Sequence, residues 1–517
     1  MPTDKINQAE IRTWLKQAQR TGLLTEELIS TEPTPASEAL LYPSSVHRSD
    51  GLTFAMLKLG RESALGVFSQ GPPADELEGT AAKLGSTGVL FCPLSHENAE
   101  GLRKLLAYTS PSSLADKKAT FGVGDRLGLA GPGHARLFQR YNAWPVFAQQ
   151  SVRELSLTDR SYEEVLDSST FAVFQEGFSE SWGADGDHLK SIEWVKRSVA
   201  IGYTIITADV SDHIRDEYAT STSARVSEAY QKLDSQTTQR LETRYLERSF
   251  EIGSAEGVRI SSEDLKRIVL TYGAALDHAE TLYRALEETR AGRAVDFELS
   301  VDETASPTSP QAHVFLVLEA QRRGLELSAV APRFEGEFQK GIDYIGDTQE
   351  FRRSFAQHAA IAKRFGHKIS IHSGSDKFAV FPVIGELTNG VFHVKTAGTN
   401  WLEALGVIAI KDSVLFRDLY RHALERFDNA RAYYHITPDL NNIPDIERLE
   451  PDDYAALFVN ADVRQLLHIT YGEMLASSDL RRRLYARLEE HIEDYWQALE
   501  RHIGRHLDLL RVASTAR

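Results

Sequence analysis

Residues 368–380 read "KISIHSGSDKFAV", a short alternating run, then a polar break containing glycine, then apolar residues again. Side chains along a strand alternate between faces, so Ile369 and Ile371 share one side while Ser370 and His372 share the other. A strand whose polar face ends in a histidine and a glycine loop matches a parallel barrel with its active site at the carboxyl edge. The same rhythm recurs from Ala119 to about Ile410. The candidate strands are "ATFGVGD" (119–125), "VFAQQSV" (146–152), "FAVFQEG" (171–177), "YTIITADVSD" (203–212), "VDFELSVDE" (295–303), "LSAVAPRF" (327–334), "KISIHSG" (368–374) and "VFHVKTAG" (391–398). Helical periodicity separates them, as in "HLKSIEWVKRSVAIG" after the third and "EFRRSFAQHAAIAKRFG" before the seventh. Eight strand-then-helix units predict an α/β fold, a (β/α)8 TIM-like barrel, over residues 119–412.

Residues 1–115 are expected to form a small α/β unit. There "LTFAMLKL" and "ALGVFSQ" make a hairpin through "GRES", and "DELEGTAAKLG", "GVLFCPL" and "AEGLRKLLAY" add helix, strand and helix. "SPSSLADKK" links this unit to the barrel. A charged helical insertion near 214–260 is too polar to join the core and suits a lid or contact surface. Residues 413–517 form a helical extension. It ends in a long helix whose stripe of Leu484, Leu488, Ile492, Trp496, Leu499, Ile503, Leu507 and Leu510 packs on the barrel, while a homo-oligomer interface stays open.

With 517 residues, 42% hydrophobic and 26% charged, the chain has the composition of a folded protein. Its net charge of −16 disfavours nucleic acid and anionic membranes as partners. A single cysteine, Cys92, excludes a disulfide framework and a thiolate zinc cluster, so any metal must use histidine and carboxylate ligands. "MPTDKINQAEIRTWLKQAQRTGLL" is an amphipathic helix without the apolar region of a signal peptide, and no run reaches the length of a membrane span. A cytoplasmic location is expected.

Strand parity turns His372 toward the barrel mouth, pairs His393 with Lys395 and Glu298 with Ser300, and sets Asp209 after Thr207. "GADGDHLK" (183–190) adds Asp185, Asp187 and His188, with Asp187 expected to cap the following helix. His188, Glu298, His372 and His393 are candidate ligands for a divalent ion, because imidazole and carboxylate suit borderline cations. Zinc, manganese, nickel, cobalt and iron all remain open. Glu176 and Asp209 are candidates for proton transfer. Lys340, Lys377 and Lys395, with the loops around Gly374 and Gly398, offer positive charge and backbone amides to an anion.

The motifs "FGVGDRLGLAGPGH", "FQEGF" with "WGADGDHLK", "ELSVDET" with "SPTSP", "APRFEGEFQKGIDYIGD", "KISIHSGSDKF" and "HVKTAGTNWLEAL" resemble the tagaturonate epimerase family, collinearly over roughly residues 120–439. The resemblance implies a small sugar-acid substrate, interconversion of D-tagaturonate and D-fructuronate, and a divalent metal. Within these motifs Asp125, Arg126, Gln175, Lys340, Ser373, Asp376, Lys377, Lys395 and Thr396 are the candidate substrate-binding residues.

The two ketouronates differ at a carbon β to the ketone, which simple abstraction of an α proton cannot invert. Transient oxidation would favour a dinucleotide fingerprint, and the glycines at 122, 124 and 128 have the wrong final spacing for one, with no acidic residue in the expected place. No nicotinamide is expected, and retro-aldol cleavage with re-addition is preferred. A metal-dependent sugar isomerase or aldolase, and a non-catalytic sugar-acid binding protein, are the alternatives.

Overall fold

The computed structural model describes residues 40–515 except 60–61, 70, 72–73, 85–86 and 254–256, so the amino-terminal amphipathic run lies outside the described residues. Eight parallel strands close into a barrel: β1 (Ala119–Gly122), β2 (Trp144–Ser151), β3 (Gly183–Leu189), β4 (Ile205–Asp209), β5 (Asp296–Val301), β6 (Leu327–Pro332), β7 (Lys368–Ile371) and β8 (Phe392–Lys395). They follow chain order around the ring, and β8 pairs with β1 to close it. Ile369 and Ile371 pack into the apolar layer outside the strands. Register sets Thr207 beside Glu298, Ser370 beside His393, and His393 beside Thr120, so the polar parity reaches the interior.

The expected third strand is a correction. Residues 171–177 end a helix, Tyr162–Glu176, that starts at a Ser161/Glu164 capping box and stops at left-handed Gly177. Phe171 and Phe174 pack on the amino-terminal sheet, while Val165, Leu166 and Val173 pack on the barrel. A helix buried on both sides carries apolar residues all round, and its short apolar run mimics a buried strand. The true β3 is "GADGDHL", whose alternate residues Asp185 and Asp187 are buried.

In the amino-terminal unit the expected hairpin pairs Leu52–Leu59 with Glu62–Ser69. The helix expected across "DELEGTAAKLG" is instead a strand, Thr80–Leu84, paired antiparallel with Thr87–Pro93. Ladder pairing overrides the local preference of alanine and leucine for helix. The 214–260 segment holds three helices and a two-stranded sheet, and it does join the core: Val226, Tyr230, Leu241 and Tyr245 are buried in the main cluster. The final stripe spans two helices, Ser478–Glu490 and Ile492–Leu509, which break at His491. Leu484, Leu488, Trp496 and Leu499 pack among the carboxyl-terminal helices, and Ile503, Leu507 and Leu510 pack on the barrel. Gly385 permits that approach, since a Cβ there would collide with the Leu510 carbonyl. Among the described residues no helix is long and apolar enough to cross a membrane.

Behind the barrel, His313 on helix Pro310–Arg322 joins two other buried histidines. Its Nδ1 lies 3.0 Å from His358 Nδ1 and its Nε2 lies 2.9 Å from His367 Nε2. A neutral imidazole has one donor and one acceptor, so the three rings form a directed chain. Burial pushes His358 down to about 4 and His367 down to about 3, and holds His313 well below the usual imidazole value. The unfolded chain therefore binds protons first as pH falls below ~6.5. The stability these neutral rings contribute is complete above that pH and is lost on acidification toward the folded values. Each costs about 1.4 kcal/mol per pH unit across the window. We expect His358→Gln combined with His367→Gln to flatten the fall in Tm between pH 6.5 and 4.5. A slope equal to wild type would show that these rings do not set it.

Candidate active site

At the carboxyl end of the strands, Lys395 is the hub. Its Nζ lies 2.9 Å from Asp185 Oδ2, 2.8 Å from Asp187 Oδ1, 2.6 Å from Thr207 Oγ1 and 3.1 Å from Glu298 Oε1, and all five side chains are buried. Glu298 Oε1 also lies 2.6 Å from His372 Nε2, and His372 Nδ1 lies 3.1 Å from Asp302 Oδ1. The His188 and His372 rings meet edge to face at 4.9 Å, and His188 Nδ1 is 3.4 Å from Asp209 Oδ2. His188 ends β3 in the left-handed region, φ 53°, a strained setting for a residue with a Cβ.

Burial and mutual charge pull these groups apart. Burial works against the Lys395 charge, yet Asp185, Asp187 and Glu298 hold its pKa well above the ordinary lysine value. Burial pushes Asp185 up to about 6, whereas Lys395 and His188 outweigh burial at Asp187 and bring it to about 2. Glu298 is held well below the usual carboxylate range by Lys395 and His372 in spite of its burial. His372 rises to about 10 because Asp302 outweighs burial. With Asp185, Asp187, Asp209, Glu298 and Asp302 gathered around it, the mouth is net acidic and favours a cation over an anion.

Of the candidate metal residues, His188, His372 and Glu298 do converge. His393 sits one layer deeper, in register with Ser370, with its Nδ1 3.0 Å from Thr120 Oγ1 and its pKa pushed by burial down to about 3. At the rim, His188, Asp209 and the exposed Glu303 offer ligand atoms within 4.8 Å of one another. Asp187 caps no helix. Its carboxylate belongs to Lys395, and Ser191 caps the helix that follows.

Several expected contacts are engaged elsewhere. Glu176 ends its helix in an ion pair with Arg136 at 2.9 Å, and Gln175 lines a separate cavity of about 1820 Å³ between the amino-terminal sheet and the carboxyl-terminal helices. Both lie at the end of that helix rather than on a barrel strand. Asp125 accepts the backbone N–H groups of Leu127, Gly128 and Ala130 and so shapes its own loop. Arg126 is bound to Glu154 at 2.8 Å and stacks on Tyr471. Asp376 lies 2.9 Å from Arg464 and 3.2 Å from His502, which anchors the loop after β7 to the carboxyl-terminal helices. Ser373 holds a left-handed turn in that loop, φ 49°. Lys377 donates to the carbonyls of Gln339, Ile342 and Ser375, and Thr396 donates to that of Gly122. Lys377 and Lys395 are therefore both committed, and neither is left to hold a substrate carboxylate.

Asp302, Glu303, Gln149 and His468 were not singled out by sequence. For Asp302 and Glu303 a signal existed, because both follow the polar end of β5. Gln149 donates to Asp185 at 3.4 Å from mid-strand, and His468 arrives from a distant helix, so neither is marked by a motif.

The tagaturonate epimerase family model matches residues 42–510. The tagaturonate/fructuronate epimerase of Thermotoga maritima is 40% identical over 471 residues, covering 91% of this chain and 96% of that protein. The native crystal structure of the fructuronate-tagaturonate epimerase UxaE from Cohnella laeviribosi is similar with a TM-score of 0.90 and 42% identity, covering 96% of this chain and 100% of that one. A glycerol complex of the same enzyme gives 0.89 and 44%, covering 92% and 97%. The chain belongs to the tagaturonate epimerase family and is an isomerase-type enzyme.

Proposed function

We propose that this protein interconverts D-tagaturonate and D-fructuronate by retro-aldol cleavage and re-addition, with a divalent cation at the barrel mouth. The reading is carried by one observation, the convergence of His188, Asp209 and Glu303 beside the Lys395 cluster. Imidazole nitrogen with carboxylate oxygens is a donor set that fits a borderline divalent ion, and His372 stands next to it. Bound there, the ion supplies Lewis-acid polarisation of substrate oxygens. The remaining work falls to the chain's own groups. Asp187 takes the proton of the β hydroxyl as the bond between the α and β carbons breaks, and the bonding pair passes into an enediolate. Lys395, held by its carboxylates, keeps Asp187 ionised and oriented. The three-carbon aldehyde turns its other face, the carbon–carbon bond re-forms, and His372 returns a proton to the new alkoxide. Asp302, 3.1 Å from His372 Nδ1, holds that ring in place. These are two proton-transfer groups from different parts of the barrel, Asp187 on β3 and His372 in the turn after β7, as inversion requires.

Epimerisation in deuterated water tests this reading. We expect the hydrogen on the inverted carbon to be retained, with slow exchange of added three-carbon aldehyde into product. Solvent deuterium at that carbon, or stoichiometric nicotinamide released on denaturation, would overturn the mechanism.

A further inference from the structure

The acidic mouth leaves a question for a substrate that carries a carboxylate at one end. Lys340 lies in the loop after β6, half-buried at the rim, and its amine has no hydrogen-bond or ion-pair partner among the described residues. The neighbouring residues are gripped from the carboxyl-terminal extension: Arg464 Nε donates to Gly341 O at 2.7 Å, and Gln465 Nε2 donates to the Gln339 side chain at 2.9 Å. Burial and the nearby Arg153 lower the Lys340 pKa, with Arg126 adding to the effect and Glu154 opposing it. A crowded cation without a counter-charge is stabilised by an incoming anion.

A second, independent observation stands beside it. His468, on helix Ala461–Ile469, is 1% exposed, and neither of its ring nitrogens has a hydrogen-bond partner. An unsatisfied buried imidazole is costly unless a ligand completes it. The ring fits between the loops after β6 and β8 because Gly341 and Gly398 lack side chains. A Cβ at Gly341 would lie 3.1 Å from His468 Nδ1, and one at Gly398 would collide with the ring. Burial, with Arg126 and Lys340 nearby, keeps the imidazole neutral and able to donate one hydrogen bond.

We propose that Lys340 and His468 form the subsite for the substrate's terminal carboxylate, so that the helical extension sets specificity for a ketouronate over a neutral ketohexose. This rests on the sugar-acid reading above and deepens it. The ketone and hydroxyl end would then face the Lys395 cluster.

The test compares tagaturonate with tagatose, the same sugar with CH2OH in place of the carboxylate, in wild type, Lys340→Met and His468→Leu. Lys340→Met is expected to raise KM for tagaturonate about 10- to 100-fold, the range of one charge-assisted hydrogen bond, and to lower the preference for tagaturonate over tagatose by the same factor. His468→Leu moves both in the same direction by a smaller factor. Equal losses for the two sugars, or an unchanged KM for tagaturonate, would overturn the subsite. Should His468→Leu fail to fold, Lys340→Met decides alone. Calorimetric titration of tagaturonate and tagatose into wild type and Lys340→Met separates the two readings: absence of turnover in wild type counts against the function, whereas equal binding of tagaturonate to both chains counts against the subsite.

Discussion

Lys395→Met lowers kcat by at least about a thousandfold and destabilises the fold. The ammonium is the shared partner of Asp185, Asp187 and Glu298 at 2.8 to 3.1 Å, 5% exposed. Removing one member of a buried charge network leaves the others unpaired and costs about 3–5 kcal/mol. The carboxylates respond by taking up protons, and Asp185, already raised to about 6, is the first to do so. Loss of the ionised Asp187 removes the group assigned to the hydroxyl proton, and a thousandfold corresponds to about 4 kcal/mol of transition-state stabilisation. A second change separates the two effects. Lys395→Met with Asp185→Leu removes a carboxylate along with the cation, so the Tm recovers toward wild type while activity does not. Recovery of both would reduce Lys395 to a structural counter-ion, and an unaltered kcat in the single variant would refute its place in the site.

The parity that turns His372, Glu298 and Lys395 inward was legible because one short alternating run fixes which face each residue takes. Where the sequence misled, the competing force can be named. "FAVFQEG" is apolar because its helix is clamped between the barrel and the amino-terminal sheet, so no polar face betrays a period of 3.6. The capping box at Ser161 and Glu164, and Gly177 at the far end, were the available signals of a helix. "GADGDHL" lacks every strand preference because its inward positions serve Lys395 and Gly186 packs beneath Ser198 and Ile206. Strand propensity is secondary when the barrel interior is an ion-pair network. With β3 displaced by twelve residues of chain, Glu176 acquired a catalytic role that its pairing with Arg136 denies it. Lys340, by contrast, stands in "APRFEGEFQKGIDYIGD" as one of three candidate lysines, and nothing in the sequence ranks it above Lys377 or Lys395. Its availability is visible only once Lys377 and Lys395 are seen to be committed to other partners.

His188→Ala and Asp209→Asn should each strip a bound divalent ion and lower kcat/KM by about a thousandfold, the scale of the several kcal/mol that Lewis-acid assistance supplies. The two residues end neighbouring strands, β3 and β4, and their ligand atoms lie within reach of one ion together with Glu303. Elemental analysis after dialysis is the readout, with thermal melting to check that the barrel survives. His393→Ala provides the contrast. Its ring lies a layer below the rim and faces Thr120, so this variant keeps its metal while altering the polar floor of the site. If His188→Ala and Asp209→Asn retain full metal and His393→Ala loses it, the ion sits deeper, among His393, Ser370 and Glu298, and the proton-transfer roles given to Asp187 and His372 must be reassigned with it. If all three retain metal, the convergence at the rim is an ion-pair network alone. In that case Lys395 and its carboxylates, rather than a cation, would have to stabilise the charge that develops on the substrate oxygens.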